Sequence, residues 1–169
     1  MPEKETIERA REDAREGKAP STQAGEFVRE EMDHIREGKH GARSPQQAIA
    51  IGLSKARRAG VKLAAPRRGK TSARTRKQAQ RDLRKGRTSR RRKPSARRSR
   101  AVSRALKREG SKAASRRALA SQARRAARSR GRSSRQQAAR KAVRTKGRSG
   151  LRLAARKAAR TRQSHRKAA

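Results

Sequence analysis

The sequence predicts an all-α protein with a small three-helix module at its N-terminus and a long basic tail that is disordered or forms isolated helices. Apolar side chains before residue 63 recur at three- and four-residue spacing, which is typical of amphipathic helices. Charge divides the chain at the same place. Residues 1–63 hold 13 Lys or Arg and 11 Asp or Glu, a net charge of +2, whereas residues 64–169 hold 41 bases and two acids, a net charge of +39. Phe27 is the sole aromatic residue, so the tail lacks the large side chains that build a core.

The first two helices of the module are bounded by turn residues. The first is predicted from about residue 3 to residue 16, where Gly17 ends it and Pro20 prevents its continuation. The second is predicted to begin after Ser21 and to end at Gly38. Its apolar residues share one face: Ala24, Phe27, Val28, Met32 and Ile35.

The third helix has the clearest start signal. Ser44 is a good N-cap, and Pro45 suits the first helical position because its missing N–H has no helical partner there. The helix is predicted to end at Gly60, with Val61 and Leu63 folding back on it. The apolar residues of helices two and three pack in the core or form a face for a protein partner or self-association; that candidate partner face is Phe27, Met32, Ile35, Ile49 and Leu53.

The tail from residue 64 onward is built mainly from Arg, Ala, Ser and Lys. Several glycines are each followed within about three residues by Ser or Thr, so that a helix stop precedes a helix cap. Arg and Ala are good helix formers, but like charges on neighbouring turns oppose the helix. We therefore expect helices to form when phosphates neutralise the arginines, over residues 72–85, 95–109, 112–130, 133–146 and 150–163.

The excess charge predicts a polyanionic partner, with duplex DNA favoured and RNA as an alternative. Arginine outnumbers lysine 39 to 15, and its planar fork binds phosphate through two donors. The candidate nucleic-acid-binding residues are Arg67, Arg68, Arg90, Arg91, Arg92, Arg97, Arg98, Arg116, Arg117, Arg124, Arg125, Arg128, Arg156 and Arg160. Zinc-finger ligands and RNP-type aromatics are missing from the sequence, and the acidic first two helices disfavour a helix-turn-helix, so we expect weak base selectivity.

Other classes of function find little support in the sequence. Cysteine is missing, which excludes disulfides and thiol chemistry, and we expect no membrane span and no signal peptide. His34 and His40 are six residues apart across the Gly38 break, which does not match metal-binding helical spacing, so we expect a surface or loop role for both and no metal or cofactor. The acidic groups Glu12-Asp13-Glu16 and Glu30-Glu31-Asp33 are interpreted as solvated helix faces, and we expect no enzymatic activity.

Residues 36–60 resemble a family of small basic bacterial proteins with a domain of unknown function, described at most as DNA-binding. The resemblance rests on Arg36-Glu37-Gly38-Lys39-His40-Gly41-Ala42-Arg43-Ser44 and on the steps Gln47-Ala48-Ile49-Ala50-Ile51-Gly52-Leu53-Ser54 and Ala56-Arg57-Arg58-Ala59-Gly60. The tail resembles linker-histone-like bacterial proteins in its Ala and basic bias, although it favours Arg over Lys. These resemblances imply a bacterial, nucleoid-associated setting and supply no catalytic residues.

Together these observations predict a non-enzymatic, cytoplasmic, nucleoid-associated protein that binds and compacts DNA without base specificity, as histone-like proteins do. Residues 1–63 form the charge-balanced module and residues 64–169 the nucleic-acid-binding tail. One alternative is an RNA- or ribosome-associated protein. Another is an adaptor whose N-terminal helices bind a protein partner while the tail anchors it to nucleic acid.

Overall fold

The computed structural model describes residues 2–88 and 95–167. Within these two ranges the backbone is helical and contains no β-strand, which confirms the all-α prediction. The elements are α1 (Lys4–Arg15), α2 (Pro20–Arg36), α3 (Pro45–Arg58), α4 (Ala73–Arg87), α5 (Ala96–Lys107), a 3₁₀ turn (Ser111–Ala114), α6 (Arg116–Ser129) and α7 (Arg132–Lys167). None of the helices in these ranges is both long enough and apolar enough to cross a membrane.

The first three helices follow the predicted start and stop residues closely. At the start of α3 the Ser44 hydroxyl accepts the backbone N–H of Gln47 at 3.2 Å, and Pro45 is the first helical residue. Gly38, with φ of 74°, ends α2 in a conformation that suits glycine. The start of α2 differs from the prediction because Pro20 is its first helical residue, a position where the fixed φ of proline favours the helix.

A first buried cluster, which we call the Phe27 cluster, joins α1, α2 and α3. Phe27 is 1% exposed, and the partly buried Leu53 packs against the cluster from α3. The prediction that Val61 and Leu63 fold back on α3 is confirmed, since both join this cluster. The buried members are Ala10, Ala24, Phe27, Ala56 and Val61.

A second buried cluster, which we call the Ile35 cluster, includes residues from the basic tail. Two alanines of the 3₁₀ turn close it, and the partly buried Ile49 and Leu119 pack against it. Because alanine has a short side chain, the turn can approach α2 and α3 closely. The buried members are Met32, Ile35, Ala42, Ala48, Ala113 and Ala114.

Helix α4 packs on α3 through small and acidic side chains. Ala79 and Asp82 are buried, and a carboxylate oxygen of Asp82 accepts Nε–H of Arg58 at 2.8 Å. Gly86 lies so close to the carbonyl group of Arg57 that a Cβ atom would overlap it. Glycine is therefore required by the close approach of the two helices.

The chain divides into two compact units, Met1–Gln122 and Ala123–Ala169. The sequence places a boundary between residues 63 and 64, where the charge changes. Packing does not change there, because α4 and the 3₁₀ turn lie against the N-terminal helices. The charge boundary and the packing boundary are thus different features of this chain.

The expected disorder of the tail is not confirmed, because the structure is helical through most of the described tail. Gly147 interrupts α7 with φ of 65° and ψ of 176°, as predicted from its position between two helical segments. Beyond residue 122, none of the described side chains is buried. Local helix propensity of Arg and Ala, and not core packing, explains these helices.

Candidate nucleic-acid interface

The candidate arginines lie on the surface wherever the structure describes them. Arg67 and Arg68 are in the loop between α3 and α4, and the others are on α5, α6 and α7. Arg90, Arg91 and Arg92 lie outside the described residues. The exposed candidates are Arg67, Arg68, Arg97, Arg98, Arg116, Arg117, Arg124, Arg125, Arg128, Arg156 and Arg160.

The part of α7 after Gly147 has an arginine at every fourth position, which we call the α7 stripe. Because an α-helix rises 1.5 Å per residue, successive members lie about 6 Å apart along the axis. This distance is close to two base-pair steps of DNA, each about 3.4 Å. The arginines predicted from the sequence include Arg156 and Arg160 but not Arg148 and Arg152, although the four-residue spacing is visible in the sequence. The exposed members are Arg148, Arg152, Arg156 and Arg160.

Helix α4 presents a second row of bases, which sequence reasoning missed. Its spacing of three, four and three residues keeps the side chains on one face. The opposite face holds Ala79, Asp82 and Gly86, which approach α3. A helix with small residues on one face and bases on the other is typical of a surface helix that faces solvent or a polyanion. The exposed row is Arg74, Lys77, Arg81 and Arg84.

Arg36, Arg57 and Arg58 bind protein groups in the tail or beside its start. Arg57 is 7% exposed and donates from its guanidinium to the carbonyl oxygens of Leu63 at 3.2 Å and Ala64 at 3.3 Å. Burial lowers the pKa of Arg57, and the negative charge of Asp82 opposes that shift. Arg58 pairs with Asp82, and Arg36 donates to the carbonyl oxygen of Ala114 at 3.2 Å. These side chains hold the tail on the N-terminal helices and are therefore structural.

The interpretation of the acids of α2 as a solvated face is wrong for two of them. Glu30 is 5% exposed and Glu31 is fully buried. The ammonium group of Lys55 lies 3.1 Å from Oε1 of Glu30 and 2.7 Å from Oε2 of Glu31. In the other predicted group, Glu12 and Glu16 are exposed, whereas Asp13 is partly buried and pairs with Lys18 at 2.7 Å.

The two neighbouring histidines meet at the end of α2. The side chains of His34 and His40 are 13% and 19% exposed, and their ring centres lie 6.2 Å apart in an edge-to-face arrangement. His40 lies in the loop before α3, as expected, but the expected surface or loop role is wrong for His34, which lies within α2 and is mostly buried. The approach of the two rings is not expected from their spacing, because it depends on the turn at Gly38.

The candidate partner face lies inside the fold. Phe27, Met32 and Ile35 are buried in the two clusters, and Ile49 and Leu53 pack against them. These side chains stabilise contacts within the chain and do not present a face to a partner in this structure.

Comparison of the chain with protein-family models, with curated proteins and with solved structures finds no significant match.

Proposed function

We propose that this protein binds duplex DNA without base specificity and compacts it, acting as a non-enzymatic, nucleoid-associated protein of bacteria. The observation that most supports the proposal is the exposure of the tail's arginines on helices that have almost no acids. Asp82 and Glu109 are the two acids after residue 63, against 41 bases. Most of the tail's positive charge therefore has no carboxylate in the tail to neutralise it.

The size of the charge is sufficient for a substantial DNA contact. Duplex DNA has one negative charge per roughly 1.7 Å of its axis, so a net charge of +39 matches about 20 base pairs. Release of condensed counterions would supply most of the binding free energy, which makes affinity strongly dependent on salt. A protein that covers about two helical turns of DNA can compact it by neutralising phosphate repulsion.

The α7 stripe and the α4 row are the surfaces that we assign to phosphate. Guanidinium groups bind phosphate through two parallel N–H donors, so contacts to the backbone need no particular base. Neutralisation also removes the repulsion between like charges on successive turns of α7, whose described side chains are all outside any buried core. Binding should therefore stabilise the helix.

The test is a salt titration of the full-length chain with two unrelated duplex sequences and with structured ribosomal RNA as a competitor. The proposal expects the two duplexes to bind within a few-fold of each other, with steep and equal salt dependence. It also expects the protein to remain bound to DNA when RNA is added at the same concentration of phosphate groups as the DNA. Displacement of DNA by the RNA would contradict the proposal and favour a ribosome-associated role.

A further inference from the structure

Three potential metal ligands, two from α2 and one from the following loop, lie close together. Glu31 and His34 lie on the last turns of α2, and the turn at Gly38 brings His40 back toward them. Each side chain offers one ligand atom, and these atoms all lie within 4.8 Å of one another.

The carboxylate of Glu31 is the centre of this cluster. Its side chain is fully buried, and within the described part of the chain neither oxygen makes a hydrogen bond of good geometry. Lys55 lies beside Oε2, but the same ammonium group also serves the buried carboxylate of Glu30. One cation is thus shared by two buried anions. A buried charge that is incompletely compensated is unfavourable, so a further cation near Oε1 would stabilise the site.

A hydrogen bond from His40 to the backbone orients the ring so that Nε2 faces Glu31. Nδ1 of His40 lies 3.2 Å from the carbonyl oxygen of Gly41, which can only accept, so Nδ1 has the proton in the neutral ring. In this neutral form Nε2 has the lone pair and lies 3.4 Å from Oε1 of Glu31, so that two acceptors face each other. A cation between them would be bound by both.

His34 is oriented in the same manner by a carboxylate. Its Nε2 lies 2.8 Å from Oε1 of Glu3, which leaves Nδ1, 3.9 Å from Oε1 of Glu30, as the nitrogen able to bind an ion. Metal-binding histidines usually donate their second nitrogen to a carboxylate or a backbone carbonyl, which fixes the ring. His34 and His40 show one partner of each kind.

We propose that Glu31, His34 and His40 bind one divalent transition-metal ion, with zinc the best fit. Two imidazoles and one carboxylate form a ligand set suited to zinc, with water as a fourth ligand. The 3.4 Å between Glu31 Oε1 and His40 Nε2 matches one edge of a tetrahedron whose ligands lie about 2.1 Å from the metal. The ligand atoms as a set lie within 4.8 Å of one another, so the His34 ring would move closer on binding. The ion would tie the loop before α3 to α2. In that loop the backbone N–H of Gly41 donates to the carbonyl oxygen of Leu106 at 2.9 Å. The ion would therefore also stabilise this contact between the loop and the tail.

The test is zinc binding by the metal-free full-length chain. Calorimetry and competition with a chromophoric chelator measure its affinity and stoichiometry. We expect one zinc ion per chain and a rise in melting temperature, because an ion that binds the folded state stabilises it. His40→Ala should weaken the affinity at least about 100-fold, since loss of groups that merely orient a ligand already costs about 10- to 100-fold. His165→Ala removes the third histidine and is the matched control, with unchanged affinity. Equal zinc affinity in the wild type and His40→Ala would overturn the proposal, as would the lack of a stoichiometric site.

A second measurement needs no variant and remains decisive if His40→Ala does not fold. Long-range ¹H–¹⁵N spectra of the wild type report the protonation and metal binding of each imidazole nitrogen. Zinc should shift Nδ1 of His34 and Nε2 of His40 and leave His165 unchanged. Shifts confined to His165, or no shifts in any ring, would contradict the site. Because DNA affinity is not measured in either experiment, failure here would leave the proposed function untouched.

Discussion

Neutralising the α7 stripe tests whether this helix contacts DNA. Glutamine is a suitable replacement because it lacks the charge and has a helix propensity close to that of arginine, so α7 should persist. Each phosphate contact contributes about 0.9 to the slope of log K against log salt concentration. Loss of four contacts should therefore flatten the slope by about 3.6. The substitutions are Arg148→Gln, Arg152→Gln, Arg156→Gln and Arg160→Gln.

The same calculation gives the change in affinity. Between 50 mM and 200 mM salt, the affinity of the variant should fall by a factor about 150-fold smaller than that of the wild type, because its slope is flatter by about 3.6. Fluorescence anisotropy of a labelled duplex of mixed sequence measures both slopes. The matched control removes four charges from exposed positions in the first 63 residues: Lys4→Gln, Arg11→Gln, Arg43→Gln and Lys62→Gln. If both variants flatten the slope equally, total charge and not the α7 stripe determines binding, and our assignment is refuted.

Three further predictions concern stability and helix formation. Gly86→Ala should lower the free energy of unfolding of the unit Met1–Gln122 by about 1 to 3 kcal/mol in urea, because the added Cβ overlaps the carbonyl group of Arg57. Gly131→Ala, whose Cβ would meet open space, is its control, and equal stability of the two variants would contradict the contact. Phe27→Ala should cost about 3 to 5 kcal/mol because its ring is fully buried. Val102→Ala, at a side chain 54% exposed, should change stability by less than about 0.5 kcal/mol. Finally, duplex DNA at low salt should increase the helical circular dichroism signal, and an unchanged signal would show that repulsion does not limit the tail helices.

Much of the local structure was predictable from the sequence. Ser44, Pro45 and Gly38 act within one turn of the helix ends that they mark, so their effects need no knowledge of the fold. The tail segments were predicted near their observed places for the same reason. Disorder of the tail is not confirmed, because the helix propensity of Arg and Ala prevails over like-charge repulsion in the described tail helices.

The candidate site was predictable in kind but not in detail. Exposed arginines follow from composition, because so few apolar residues exist in the tail to cover them. Which bases bind groups of the protein did not follow, since Arg57 and Arg58 resemble their neighbours in sequence and differ only in the groups that lie beside them.

The sequence by itself determined that this chain is helical, where its helices begin and end, and that its second part is a polycation. Caps, glycine stops and helix propensity act over a few residues, and net charge is a property of composition. Only the tertiary structure decided that Asp82 and Ala113 belong to the N-terminal packing, and that Glu31 and His40 meet in one cluster. These outcomes depend on contacts between residues that are distant in the fold's element order, which neither local helix propensity nor composition describes.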